Sequence, residues 1–142
     1  MAIGYQFQKQ TTKFLTMSKK MINKTDNIFE SKRDFELLLK KNEEPVVVII
    51  DAKWCGCCQI MVPVIEKLAV QFNDSIRFIT INSEDLEKLE LNFDSDVLPK
   101  ILFFNKGRVI DQVFGTASFE FLEEKMKTLL AVSSKNNMYN LK

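Results

Sequence analysis

The chain has no histidine among its 142 residues. That removes imidazole acid–base catalysis, Cys–His nucleophile pairs and mixed Cys/His zinc sites together. Cysteine is scarce as well: there are three, Cys55, Cys57 and Cys58, all within four residues. Three thiols cannot all pair within one chain, and so tight a cluster is not the scattered framework of a small secreted domain. The longest apolar run, Val46–Ile50, is far too short to span a bilayer. Acidic residues are missing from residues 1–24, which hold five lysines and no arginine.

What is present fits one soluble domain. Apolar residues make up 46% and charged residues 27% of the chain, enough for a buried core and too balanced for wholesale disorder. The formal charge is +1, and setting aside the five N-terminal lysines leaves 15 basic against 19 acidic groups. Residues 25–142 are therefore net acidic and carry no basic footprint for nucleic acid.

Helix and strand signals alternate from about residue 27. Ser31 followed by Asp34 predicts an N-cap and an acidic first turn, opening a helix through Phe35, Leu38 and Leu39. Pro45 introduces VVVIID, a β-branched run of the kind buried on both faces of a sheet. Beyond the cysteines, Ile60, Val64, Leu68 and Phe72 predict a helical stripe, and Pro63 inside it predicts a kink. SIRFITI reads as a strand and Glu84–Leu91 as an acidic helix. KILFF and VIDQVF flank NKGR as a hairpin turning at Gly107. A last helix is expected from Ser118 to Ala131, with Phe119, Leu122, Met126 and Leu129 on one face and a fraying polar tail at 132–142. The order β-α-β-α-β-α-β-β-α implies an α/β domain with a central mixed sheet flanked by helices.

Cys55 follows the buried strand and precedes the helix, where unpaired backbone N–H groups and the helix dipole favour an anion. Outermost at the helix start, it is expected to be the accessible thiol that reacts before Cys58. A thiolate there can attack a disulfide, and Cys58, within the first turn, can close on the resulting mixed disulfide. Gly56 leaves room for a substrate backbone. The spacing alone also allows a pair of inert buried cysteines. Half of a zinc site has the same C-x-x-C spacing, but a complete one lacks ligands in a single chain, so no metal is assigned; a cluster bridged between two chains is a further arrangement.

The stretch WCGCC, Trp54 to Cys58, behind VVVIIDAK resembles the thioredoxin signature W-C-G-P-C, with Cys57 in the place of the proline. FESKRDFELLL is similar to the first strand and helix of that family. Pro63 stands where its second helix carries a proline, and VLPKILFFNKGRVIDQVFG is similar to its cis-proline, hairpin and glycine. The resemblance covers about residues 27–130 and implies a thioredoxin fold, placed here at residues 25–131. It implies Cys55 as attacking thiol, Cys58 as resolving thiol and a redox disulfide between them. It further implies that Pro99 is a cis-proline and that Trp54, Gly56, Cys57, Leu98, Pro99 and Gly115 form the substrate-binding surface. Disulfide-containing proteins would be the substrates and a thioredoxin reductase-type donor the source of electrons. The chain is expected to act as a monomer, and it holds no cofactor-binding motif of its own.

Three departures stand out. Cys57 replaces a proline that stiffens the loop, so the disulfide is expected to be easier to reduce, and the extra sulfur is either a third redox partner or a tolerated spacer. Ile49 and Thr80 stand where the family commonly buries an aspartate and a lysine. Asp51, two residues on and on the same side of the strand as Ile49, is then a candidate substitute proton acceptor or a solvated strand-end acid. Finally, residues 1–24 extend beyond the family core. On a helical wheel Ile3, Phe7, Phe14, Leu15, Met21 and Ile22 fall within roughly 120° of one another, with the lysines opposite. Such a basic, acid-free segment resembles an organelle transit peptide and points to a mitochondrial or other organelle matrix. A surface-associating or disordered extension is the other reading, with the cytoplasm as the next location. The leading expectation is a protein-disulfide reductase. A disulfide oxidase or isomerase, or a non-enzymatic binding module, would carry the same residues.

Overall fold

The computed structural model describes residues 22–24, 31–93 and 96–140. The N-terminal apolar stripe from Ile3 to Met21 lies outside the described residues. Ser31 caps helix α1 (Lys32–Lys41), its Oγ accepting the Asp34 N–H at 3.2 Å, and Phe35 and Leu39 turn into the core. Strand β2 (Val46–Asp51) is buried along its length until Asp51, as its unbroken apolar sequence requires. Helix α2 (Gly56–Gln71) follows, with Pro63 inside it. Next come β3 (Arg77–Asn82), a short α3 (Ser83–Lys88) capped by Asn82, and the hairpin of β4 (Lys100–Asn105) with β5 (Arg108–Phe114). Its two-residue turn has positive φ at both Lys106 and Gly107, the geometry whose twist suits a tight hairpin.

These strands form one sheet in the order β1-β3-β2-β4-β5, where β1 is Ile22–Lys24. β1, β3 and β2 run parallel, and β4 and β5 complete the sheet antiparallel. Alternate residues of the buried strands face opposite layers. Val47, Ile49, Phe78, Ile101 and Phe103 pack with α2 and the last helix, α4 (Phe119–Asn140). Val48, Ile50, Ile79, Ile81, Leu102 and Phe104 pack with Phe35 and Leu39 of α1 and Leu86 of α3. On that second side Phe35, Phe93 and Phe104 meet edge to face, with centroids 6.1 to 6.3 Å apart. Each such pair adds about 0.5–1.5 kcal/mol beyond its buried area.

The structure differs from the sequence reading at four places. The first strand is Ile22–Lys24, upstream of the FESKR segment, so the sheet reaches into the stretch assigned to the N-terminal extension. Three residues paired to β3 carry no periodicity of their own. In α2 the buried stripe is Met61, Ile65, Leu68, Ala69 and Phe72, while Ile60 is 67% exposed. Four residues subtend about 400°, so a strict i+4 series drifts by about 40° a step and leaves Ile60 a third of a turn from Phe72. The acidic helix stops at Lys88, with Glu90 at a φ of 55° just beyond it. Finally, α4 does not stop at Ala131 but continues to Asn140. Its stripe of Leu122, Met126 and Leu129 extends to a buried Ser133, and no glycine or proline interrupts the segment.

The place of β1 limits N-terminal truncation. Removing residues 1–21 is expected to leave the urea midpoint near that of the full chain, whereas removing 1–24 strips an edge strand and lowers it. Equal midpoints for the two truncations would show that β1 contributes nothing to stability.

Candidate functional site

The site lies where β2 ends and α2 begins. The Ala52 carbonyl accepts the Cys55 N–H at 3.1 Å, and the tight turn between them leaves Trp54 72% exposed. Cys55 is the N-cap of α2, in extended conformation (φ −88°, ψ 110°), and its Sγ accepts the Cys58 N–H at 3.2 Å. A sulfur thus fills the capping role usually given to a serine or aspartate oxygen.

All three cysteines are free thiols, and they differ sharply in access. Cys55 is 8% exposed and Cys58 3%, and both pack with Ala52 and Leu98 in one small cluster. Cys57, between them, is exposed. Cys55 is thus slightly less buried than Cys58, while Cys57, on the solvent side of the first helical turn, is the most exposed of the three. The Cys58 thiol is pushed up to about 12. Burial is the largest cause, followed by its hydrogen bond with the Cys55 sulfur. The charges of Cys55 and Asp51 add to the effect, while a backbone hydrogen bond at Ala52 works against it. The two thiols are thus unequal: one caps a helix, and the other holds its proton far above neutrality.

The structure brings the remaining expected residues to the same end of the sheet. The Leu98–Pro99 peptide is cis, and the Pro99 carbonyl accepts the Gly115 N–H at 2.9 Å, joining the start of β4 to the end of β5. Gly115 has a φ of +76°, a conformation that favours glycine. A Cβ on Gly56 would meet no heavy atom within 4 Å, so the space above it is open to an incoming chain. Asp51 ends β2 half-buried, with its charge felt at Cys58.

Ile49 and Thr80 are buried and paired in register on neighbouring strands. Sequence reasoning missed Phe114 and Val97, both exposed apolar side chains, next to Gly115 and Leu98 respectively. The Lys100 Nζ lies 5.2 Å above the Phe114 ring and steadies it. The alternation in QVFG, with Val113 buried and Phe114 out, was the signal that could have found the ring.

Comparison with known proteins agrees with this geometry. The thioredoxin family model matches residues 26–128. Chloroplastic thioredoxin Y2 of Arabidopsis thaliana is 31% identical over 98 residues, which cover 69% of this chain and 59% of that protein. Mitochondrial thioredoxin of Bos taurus is 30% identical over 97 residues, 68% of this chain and 58% of that one. The chain thus spans about three-fifths of the length of these curated relatives. Among solved structures, oxidised mitochondrial thioredoxin 3 of Saccharomyces cerevisiae superposes with a TM-score of 0.61 at 25% identity, covering 78% of this chain and 98% of that one.

Proposed function

Because the chain belongs to the thioredoxin family, we propose that it is a thiol–disulfide oxidoreductase that reduces protein disulfides through Cys55 and Cys58. The observation that carries this reading is the asymmetry of the pair. Cys55 Sγ already accepts an N–H at the helix start, while the buried Cys58 keeps its proton. The Cys55 thiolate attacks one sulfur of a substrate disulfide, forming a mixed disulfide and releasing the other sulfur as thiolate. Cys58 then loses its proton and attacks Cys55 Sγ. The Cys55–Cys58 disulfide forms and the second substrate sulfur leaves reduced. Asp51, whose charge reaches Cys58, is the acceptor for that proton.

The substrate chain lies across Trp54, Gly56, Cys57, Leu98, Pro99 and Gly115, with Phe114 and Val97 at the margin. Electrons return from a thioredoxin reductase-type donor. The relatives include mitochondrial and chloroplastic proteins. Together with the acid-free, lysine-bearing residues 1–24, that supports an organelle matrix as the site of action.

The test is reduction of insulin disulfides by dithiothreitol with and without the protein. Wild type is expected to accelerate the reaction, and Cys55→Ser to leave it at the uncatalysed rate, since a serine hydroxyl is no nucleophile towards disulfides near neutral pH. If Cys55→Ser matched wild type, or wild type did nothing, the reading of the pair would fail. A non-enzymatic binding module gives the second of those results.

The resolving step should depend on pH. Cys58 is held up to about 12 partly by its hydrogen bond with Cys55 and by the Cys55 charge. Both effects are lost when Cys55 is tied up in the mixed disulfide, so the thiol becomes easier to ionise when it is needed. Burial and the Asp51 charge remain. Resolution should therefore accelerate as pH rises above neutrality. Asp51→Asn removes a charge that opposes ionisation, but it also removes the proposed acceptor. Slower resolution in that variant near neutral pH, converging with wild type in alkali, identifies proton acceptance as the dominant role. Faster resolution at every pH would leave Asp51 a strand-end acid.

A further inference from the structure

The thiol chemistry leaves one buried cation at the same end of the sheet without a part. Lys100 directly follows the cis-proline and is only 5% exposed, the one charged side chain among the buried residues described. A lysine is rarely so deep, because taking its ammonium out of water is costly. Among its contacts is an aromatic ring: Lys100 Nζ lies over Phe114, 5.2 Å from the ring centroid. The two residues are opposite each other in the β4–β5 register, so strand pairing alone sets their side chains together on one face of the sheet. One step along, the Gly115 N–H donates to the Pro99 carbonyl and ties the pair to the cis-proline. Leu98, on the other side of that proline, packs both with the cluster of Cys55 and Cys58 and with the core layer of Leu102 and Phe104. Phe114 itself stays 54% exposed, so the ammonium holds a ring that still faces water beside the docking surface.

We propose that Phe114 is a specificity-determining residue and Lys100 its positioning residue, selecting disulfide substrates that carry a large apolar or aromatic side chain next to the reacting cysteine. The proposal rests on the Cys55–Cys58 reading and names the substrates that this pair prefers. An exposed phenylalanine on an edge strand is otherwise free to turn about its side-chain bonds. The ammonium favours the one orientation that places it over the ring face. A ring ordered before the substrate arrives loses less freedom on binding, and more of the contact energy appears as affinity. Covering its apolar surface is favourable, and a second ring adds an edge-to-face or offset contact of its own. The cis-proline link makes the arrangement local to the thiols, since Phe114 and Lys100 are one residue from Gly115 and Pro99 on their respective strands.

The test uses the full chain, reduced beforehand, and two synthetic peptides, each supplied as a disulfide-linked dimer. The peptides are identical except for phenylalanine or glycine on either side of the cysteine. Reduced peptide is followed by chromatography over a range of peptide concentrations. Wild type is expected to half-saturate at a lower concentration of the phenylalanine peptide, with similar limiting rates for the two. Phe114→Ala should raise that half-saturating concentration about tenfold and abolish the preference. Lys100→Met keeps the length of the side chain and removes its charge. It should raise the same quantity about two- to fivefold, the worth of a cation–π contact, and Lys100→Arg should restore most of the loss. Phe114→Leu keeps an apolar surface but offers the ammonium no ring, so it probes the same hold from an exposed position that the fold tolerates. It should resemble Lys100→Met. Added to Phe114→Ala, Lys100→Met should cause no further loss. Equal use of the two peptides by wild type, or an undiminished preference in Phe114→Ala, would overturn the specificity role. A Phe114→Leu variant equal to wild type, or a Lys100→Met loss that persists in the Phe114→Ala background, would overturn the positioning role. Wild type that reduces neither peptide would instead overturn the Cys55–Cys58 reading, and the preference with it.

Discussion

Cys58→Ser is expected to turn a catalyst into a trap. The first exchange needs only Cys55, which keeps its place as N-cap, because the bond it accepts comes from the backbone of residue 58. The second exchange needs the sulfur of Cys58. Without it the mixed disulfide has no exit inside the molecule and must wait for an external thiol. Multiple-turnover reduction of insulin should fall by on the order of a hundredfold or more, and a covalent complex should appear on non-reducing gels and vanish with dithiothreitol. Retained turnover in Cys58→Ser would mean that the working partner of Cys55 is Cys57.

The second large effect concerns the core beneath the thiols. Ile49→Asp places a carboxylate in a site only 4% exposed, packed with Met61, Ile65 and Phe103. Thr80→Lys places an ammonium beside it on the neighbouring strand, in register. Each change alone puts an unpaired charge in an apolar layer and is expected to cost about 3–5 kcal/mol, a large share of the stability of a domain this size. Made together, the charges compensate, and the double variant should recover much of that loss in urea unfolding. A strictly additive double variant would show that the two side chains do not meet. Ile49 and Thr80 thus fill these paired positions without any buried charge.

How much of this was legible beforehand depended on how local each feature is. VVVIID announced a strand buried on both faces because β-branched residues without alternation have few other uses. Ser31 and Asp34 announced a cap because the bond spans three residues. The thiol pair was legible for the same reason, since N-cap and first turn are defined within four residues. The α2 stripe was misjudged because two registers of apolar residues coexist in QIMVPVIEKLAVQF, and only the sheet against the helix selects Met61 and Ile65 over Ile60. The end of α4 was misjudged because the polar residues beyond Ala131 hide that Ser133 continues the buried stripe.

The sequence by itself determined the element order, the strand to which the thiols are attached, and the spacing that lets Cys55 cap the helix that carries Cys58. Those are relations between neighbours, set by backbone geometry and side-chain pattern within a turn or two. Only the tertiary structure decided which thiol faces solvent, that Pro99 and Gly115 meet across two strands, and that the Asp51 charge reaches Cys58. It alone placed Ile22–Lys24 beside β3. Pairing between distant strands and burial of one sulfur rather than another depend on what the whole sheet packs against, and no short stretch of chain contains that information.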